Sequence, residues 1–206
     1  MSQFFEIHPT TPQPRLVKQA VAIIRDGGVI AYPTDSCYAL GCHIDNKPGM
    51  EKIARIRHID KEHNFTLMCS DLSEISTYAR VDNWAFRLLK AHTPGPYTFI
   101  LQASSSLPRR LQNPKKKTIG IRVPEHPVAK ALLDELGEPL MTSTLMLKGD
   151  IIPYTEGWEI REALEHELDL IIDGGPCGIV PTTVVDLVGG AVELVREGRG
   201  DASVFQ

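Results

Sequence analysis

The residues with the clearest chemical potential follow a short predicted strand near the start of the chain. Val29–Tyr32 is an apolar run, and Pro33-Thr34-Asp35-Ser36 comes directly after it. In open α/β folds, ligands bind at the carboxyl ends of the strands, so the hydroxyl and backbone N–H groups of this segment predict a binding loop. A polar turn in which Asp35 and Ser36 bond their own backbone accounts for the same residues. The sequence leaves both interpretations open.

Two arginines at the end of a predicted helix could bind phosphate. Arg55 and Arg57 lie in a helix predicted over about residues 48–57, and a guanidinium group binds phosphate oxygens in pairs. Residues two apart are about 200° apart on a regular helix. Both arginines therefore face one ligand only if the helix ends between them or just after them. The alternative is a pair of surface charges.

A second basic segment leads into another predicted strand. Lys115, Lys116 and Lys117 precede Thr118–Val123, which carries Arg122 between two branched apolar residues. Burying a guanidinium group is costly unless it meets an anion, so Arg122 predicts a carboxylate partner from a ligand or from the protein. A structural salt bridge within the chain is the alternative.

Consecutive hydroxyl side chains occur in two further strand segments, Pro139–Met146 and Val180–Asp186. Hydroxyl groups donate to phosphate or carboxylate oxygens without adding charge. Threonine is also common in strands because its branched side chain packs well there. The sequence around Arg196 does not show whether this residue contacts a ligand or is a surface charge.

Several common catalytic and metal-binding patterns are absent from the sequence. The seven histidines and four cysteines show no metal or triad spacing, and there is no P-loop, G-x-G-x-x-G or nucleophile elbow. We therefore predict no metal ligands and assign no catalytic residue. The expected chemistry uses positioning and charge rather than a covalent protein intermediate.

An α/β sheet must position these segments. The 206 residues are 42% hydrophobic and 23% charged, which is typical of one globular domain. Predicted helices and strands alternate along much of the chain, whereas several late strands have no helix between them. This pattern predicts a mixed sheet rather than a purely parallel one. No linker interrupts it, so we expect a single domain over residues 1–206.

The net charge of −4 is unevenly distributed. An acidic block over residues 156–169 follows two basic stretches, and this asymmetry indicates either a positively charged site or two solvated faces of opposite sign. The basic stretches contain Lys52, Arg55, Arg57, Lys61, Arg109, Arg110 and Lys115–Lys117.

The sequence also indicates where the protein resides. No apolar run is long enough to cross a bilayer, and the first residues lack the pattern of a secretory signal. The four cysteines fit reduced, mostly buried thiols. We expect a cytoplasmic protein that does not bind membranes.

Taken together, these segments resemble the threonylcarbamoyl-AMP synthase family, the YrdC-like proteins. Residues 55–57, 63–69 and 144–147 are similar to its YciO branch in particular. The resemblance implies a twisted, mixed parallel and antiparallel sheet, flanked by helices, with a concave basic cleft. The blocks that match in the family's order are Tyr32–Cys42, Ile53–Arg57, Thr93–Leu101, Thr118–Pro127 and Asp173–Leu187, with Arg196 beyond.

The resemblance implies a function. Members of the family convert ATP, L-threonine and bicarbonate into threonylcarbamoyl-AMP and pyrophosphate for the t6A modification of tRNA. ATP would be a substrate, accompanied by Mg²⁺ that neutralises part of its charge, and no prosthetic group is implied. By position, the residues implied to contact threonine are Ser36, Arg122 and Thr182, and those implied to contact ATP are Arg55, Arg57, Thr118, Thr144 and Arg196.

Three departures from the family pattern predict weakened synthase activity. The family's Lys-x-Arg is Arg55-Ile56-Arg57 here, its Ser-x-Asn is Thr144-Leu145-Met146, and extra residues follow Arg57. Lysine and arginine are not equivalent at a phosphate site, and a thioether cannot replace an amide as a hydrogen-bond donor.

Two alternatives to a synthase therefore stay open. The first is a protein of the same fold that binds tRNA or double-stranded RNA, a property also associated with this fold. The second is a relative that acts on another nucleotide or a modified base. The residues expected to contact RNA phosphates are Arg109, Arg110, Lys115, Lys116 and Lys117.

Overall fold

Eleven strands join in one mixed sheet in the computed structural model, which describes residues 1–60 and 62–206. Lys61, part of the first predicted basic stretch, lies outside the described residues. The strands are β1 Gln3–Glu6, β2 Ile30–Tyr32, β3 Ala39–His43, β4 Thr66–Met68, β5 Ala79–Arg80, β6 Tyr97–Ala103, β7 Thr118–Arg122, β8 Leu140–Thr144, β9 Leu170–Asp173, β10 Thr183–Asp186 and β11 Glu193–Arg196.

The sheet order is β1-β9-β2-β3-β8-β4-β7-β6-β10-β11, with β5 paired to β6 at one side. The parallel pairs are β1/β9, β2/β9, β4/β7 and β6/β10, and the other pairs are antiparallel. The predicted mixed, single-domain α/β fold is thus confirmed. The helices are α1 Pro14–Arg25, α2 Lys47–Arg57, α3 Leu72–Tyr78, α4 Asn83–His92, α5 Pro127–Leu136 and α6 Gly157–Leu164.

Helix α2 shows how local sequence places a site residue. Asn46 caps its first turn by accepting a hydrogen bond from the Gly49 N–H at 2.9 Å, and Pro48 suits the same turn because it needs no donor there. The helix ends after Arg57, where His58 adopts a left-handed conformation with φ of 51°. Arg57 is therefore the last helical residue, and its side chain reaches the end of β8.

Two hydrophobic clusters cover the two faces of the sheet. On one face, apolar residues of α2, α3, α4 and α6 pack against the strands. On the other, α1 and α5 pack against β2, β8 and β9. Beside α1 and α5, the strands β4, β6, β7 and β8 present small and polar side chains, which line a cavity on this second face. The helices thus leave one part of this face for the site.

Most elements lie within a few residues of the sequence prediction, but the strands β1, β3 and the two-residue β5 were missed. Strand β3 contains Ala39, Gly41 and Cys42, which have little preference for strands. It forms because β2 and β8 pair with it on both sides. Within the described residues, no helix has the length and apolar character needed to cross a membrane.

The N-terminus of α5 makes folding sensitive to pH. His126 caps this helix by accepting a hydrogen bond from the Val128 N–H through its Nδ1 atom at 3.1 Å. The pKa of His126 is lowered, first by burial and then by Arg122, although Asp35 opposes the shift. Because the unfolded chain then binds the proton more readily, stability is expected to fall as the pH drops below about 6.5, by up to about 1.4 kcal/mol per pH unit.

Chemical denaturation at about pH 7 and about pH 5 tests this expectation. Asparagine is a good capping residue, so His126→Asn should keep the cap and reduce the loss of stability on acidification. The pKa of His63 is also lowered, mainly by burial, so part of the loss should remain. An unchanged pH dependence in His126→Asn would contradict the role given to this side chain.

Candidate functional site

A cavity of about 460 Å³ lies on the open part of the sheet. None of its described lining residues carries a carboxylate, whereas three are arginines and six carry hydroxyl groups. The lining residues are Arg57, His63, Asn64, Thr66, Thr98, Ile100, Gly120, Arg122, Thr142, Ser143, Thr144, Thr182, Val184, Val195 and Arg196.

Arg122, the last residue of β7, is anchored to the loop that follows β2. Its Nη2 atom donates to Thr34 Oγ1 at 3.0 Å, to Ser36 Oγ at 2.9 Å and to the carboxylate of Asp35. The side chains of Arg122 and Asp35 are only 7% and 11% exposed. The carboxylate predicted for Arg122 thus comes from the chain itself, as a structural salt bridge. Ser36 hydrogen-bonds to this arginine, but it is buried and is not part of the cavity lining.

The same arginine retains hydrogen-bonding capacity. All three of these contacts use Nη2, and among the described residues the buried Nε atom has no partner. A guanidinium group has five N–H donors in a planar fork. Arg122 can therefore bind an anion in the cavity while Asp35 holds its orientation.

Arg57 reaches the cavity from the end of α2. Its Nη1 atom donates to Ser143 Oγ at 2.7 Å, and its Nε atom donates to the backbone carbonyl of Met146 at 3.2 Å. The pKa of Arg57 is lowered, first by burial and then by the neighbouring Arg196. Two arginines brought this close favour an anion between them.

Arg55 does not enter the cavity, although the resemblance placed it with Arg57. It is 68% exposed and pairs with Glu167 at 2.9 Å on the outer surface. The helix stays regular through Arg57, so side chains two residues apart point in different directions. The sequence expectation that both arginines face one ligand therefore finds no support in this arrangement.

Arg196, the last residue of β11, is the third arginine in the cavity lining. Its Nη2 atom donates to the backbone carbonyl of Thr182 at 2.8 Å, and its Nε atom reaches the same carbonyl at 3.2 Å. The hydroxyl of Thr182 lies 2.7 Å from that of Thr98. Burial lowers the pKa of Arg196. Strands β6, β10 and β11 thus bring Arg196 and Thr182 to one wall of the cavity.

The remaining two predicted ATP contacts differ in position. Thr144 lines the cavity at the end of β8. Thr118 is two and four residues before Gly120 and Arg122 on β7, so its side chain faces the same side of the sheet. It is buried, it is not part of the lining, and its hydroxyl has no partner among the described residues.

The residues predicted to contact RNA lie outside the cavity. Lys115 pairs with Glu62 at 2.5 Å, and Arg110 donates to the backbone carbonyl of Ile44. Arg109, Lys116 and Lys117 are exposed. The three lysines immediately precede β7. Asn113, in the same loop, donates a hydrogen bond to Asn64 of the cavity lining at 2.9 Å.

Comparison with known proteins assigns the family. A family model that covers the Sua5, YciO and YrdC proteins, described as "Telomere recombination", matches residues 22–198. The chain belongs to this family. The family prediction made from the sequence is therefore confirmed.

The chain matches some members of the family over their whole length and others over little more than half of it. YciO of Escherichia coli K12 is 58% identical over 205 residues and all of both chains, and its crystal structure matches with a TM-score of 0.97. Threonylcarbamoyl-AMP synthase of Bacillus subtilis is 29% identical over 94% of this chain and 55% of its own length. The structure of P. abyssi Sua5 complexed with L-threonine has a TM-score of 0.87 at 24% identity, covering 96% of this chain and 58% of that one.

Sequence reasoning missed several of the lining residues. Thr66 and Thr98 each lie on a strand, next to a buried apolar neighbour. Alternation along each strand places them on the open face, but only the sheet order brings them together. The alternating pattern could have indicated their face, although not their common cavity.

The surroundings of the four cysteines disfavour their thiolate form. All four are free, and Cys37, Cys42 and Cys69 are buried. Burial raises the pKa of Cys42 and of Cys177 to about 12, so little reactive thiolate forms at neutral pH. Within the described residues, no three His, Cys, Asp or Glu side chains form a metal-binding group.

Proposed function

We propose that the cavity binds ATP together with L-threonine, and that the protein is an L-threonylcarbamoyladenylate synthase of low activity. The observation that carries this proposal is the convergence of Arg57, Arg122 and Arg196 on one cavity whose described lining has hydroxyls and no carboxylate. Such a lining is complementary to phosphate and carboxylate groups. The names of the B. subtilis relative and of the L-threonine complex support the choice of substrates.

The residues divide between two parts of the substrate set. We assign Arg122, with Ser36 hydrogen-bonded to it, and Thr182 to the threonine carboxylate, and Asp35 holds the guanidinium group in place. Arg57 and Arg196 form the other group, suited to the triphosphate. Placing both substrates side by side makes the reaction effectively intramolecular.

The proposed reaction needs no covalent protein intermediate. The threonine amine attacks bicarbonate, which loses water to give the carbamate. A carbamate oxygen then attacks the α-phosphorus of ATP, and pyrophosphate leaves. Arginine side chains stabilise the charge on the phosphates as this bond breaks. Mg²⁺ would accompany ATP and be held by its phosphates, because the described lining supplies no carboxylate ligand.

Two positions support a low rate. Arg55 points to Glu167 on the outer surface rather than into the cavity, so one of the two cations of the family motif is not directed at the substrate. Met146 contributes its backbone carbonyl to Arg57, and its thioether offers no N–H group. Loss of one donor to a transition state typically lowers a rate by about 100- to 1,000-fold.

Isothermal titration of ATP, alone and with L-threonine and bicarbonate, tests the proposal. We expect ATP to bind and to bind more tightly when both co-substrates are present, because the two groups of residues are adjacent. Single-turnover release of pyrophosphate should then require all three substrates. The absence of any heat with millimolar ATP would contradict the proposal.

RNA binding is a second candidate function, favoured by the exposed Lys116 and Lys117, whose loop contacts the cavity lining through the Asn113–Asn64 hydrogen bond. Lysine contacts to phosphates release counterions, so affinity falls steeply with salt. Lys116→Glu/Lys117→Glu should weaken binding of a short RNA duplex and reduce the slope of log affinity against log salt by about 2.

Arg15→Glu/Lys18→Glu is the matched control, because it makes the same charge change at exposed positions of α1. Fluorescence anisotropy across a salt series measures both variants. Equal losses of affinity in the two double variants would show attraction by overall charge only, and would exclude a specific role for the lysine loop.

A further inference from the structure

A second cavity, of about 480 Å³, lies at the carboxyl edge of the sheet, where the parallel strands β4 and β7 end. It is separate from the arginine cavity, and the lining residues of the two do not overlap. Its volume lies within the range of roughly 300–1,000 Å³ typical of small-molecule sites. The ends of strands are also where open α/β folds bind ligands.

The walls of this cavity are fixed by backbone hydrogen bonds. The Cys69 N–H donates to the Arg122 carbonyl at 2.8 Å, and the Gly95 N–H donates to the Val123 carbonyl at 3.0 Å. The Glu125 N–H donates to Asp35 Oδ2 at 3.0 Å. Segments from three parts of the chain are thus held in place without a ligand. A preformed cavity of this kind loses little conformational entropy on binding.

The lining combines an apolar surface with charges of both signs. Leu72, Val123 and three prolines supply the apolar part. Lys90 and Lys130 supply positive charges, and Asp71 and Glu125 supply negative ones. Lys130 also pairs with Asp134 of its own helix at 2.6 Å, so Lys90 is the cation on which the proposal below mainly depends.

The two acidic side chains can still receive a ligand. The capping contacts of Asp71, with Ser73 Oγ and the Glu74 N–H, both use Oδ1, so its Oδ2 atom remains for a ligand. Glu125 is exposed.

We propose that this cavity is a second ligand site, for a free amino acid with an apolar side chain. Such a molecule carries a carboxylate for the lysines, an ammonium group for the acids, and an apolar body for the leucine, valine and proline surface. A simple anion would meet Asp71 and Glu125 in the lining, and a simple cation would meet Lys90 and Lys130. A zwitterion satisfies both sets of charges.

The test is a titration of ¹⁵N-labelled protein with L-leucine and L-phenylalanine, followed by NMR. Saturable shifts of the Leu72, Val123 and Glu125 amides are expected with at least one of them. Two analogues of leucine that each lack one charge, 4-methylpentanoate and isopentylamine, should bind about tenfold more weakly or worse.

Charge reversal of one lysine supplies the matched control. Lys90→Glu should weaken binding of the amino acid about tenfold, whereas Lys18→Glu, at an exposed position of α1, should leave it unchanged. The proposal is overturned if neither amino acid shifts these amides at tens of millimolar, if the shifts are confined to the arginine cavity, or if the analogues bind as tightly as leucine. None of these outcomes depends on synthase activity.

Discussion

Replacing Arg122 by methionine is expected to lower the free energy of unfolding by about 3–5 kcal/mol, because the change leaves the carboxylate of Asp35 buried without its partner. The two side chains are 7% and 11% exposed, so water cannot readily replace the guanidinium group. Thr34 and Ser36 also lose a shared donor. Urea denaturation without ligands measures this cost independently of any substrate.

Asp35→Asn separates loss of the ion pair from loss of packing. Combined with Arg122→Met, it removes the buried carboxylate as well, so the double variant should be less destabilised than the sum of the single variants. The helix pair Lys130–Asp134, which is about half exposed, is the matched control. Lys130→Met should cost no more than about 1 kcal/mol. Strict additivity of Asp35→Asn and Arg122→Met would show that the ion pair carries no coupling energy.

Arg57→Ala is expected to weaken ATP binding by about 100-fold, and Arg55→Ala to leave it unchanged within about twofold. Both arginines lie in α2, two residues apart. Arg57 is oriented into the cavity by Ser143 and the Met146 carbonyl, whereas Arg55 pairs with Glu167 at the surface. Removing a directed, partly desolvated charge therefore costs far more than removing an exposed one.

Titration calorimetry of the two variants under identical salt conditions measures the difference. Because both variants lose one positive charge from the same helix, a long-range electrostatic effect would weaken ATP binding equally in each. Equal losses would therefore contradict the assignment of Arg57 to the triphosphate. A loss in Arg55→Ala alone would place the nucleotide outside the cavity.

The local sequence was sufficient for the class of fold and for the family. Helix caps depend only on neighbouring residues, as at Asp71, which begins α3, and at Gly137, which ends α5. The apolar patterns that distinguish strands from helices are likewise local in the sequence. The mixed sheet followed because late strands succeed one another without helices. Strand β3 was missed because its stability depends on two flanking strands rather than on its own residues.

The sequence by itself thus determined most of the elements along the chain, the mixed α/β class of the fold, and the blocks that identify the family. Only the tertiary structure decided which residues share a cavity, that Arg122 meets Asp35, and that Arg55 turns away from Arg57. Arg122 and Asp35 are 87 residues apart in the chain, and Thr98 and Thr182 are 84 apart. Such contacts are set by sheet register and helix rotation, because these fix where each side chain points, and no local pattern encodes them.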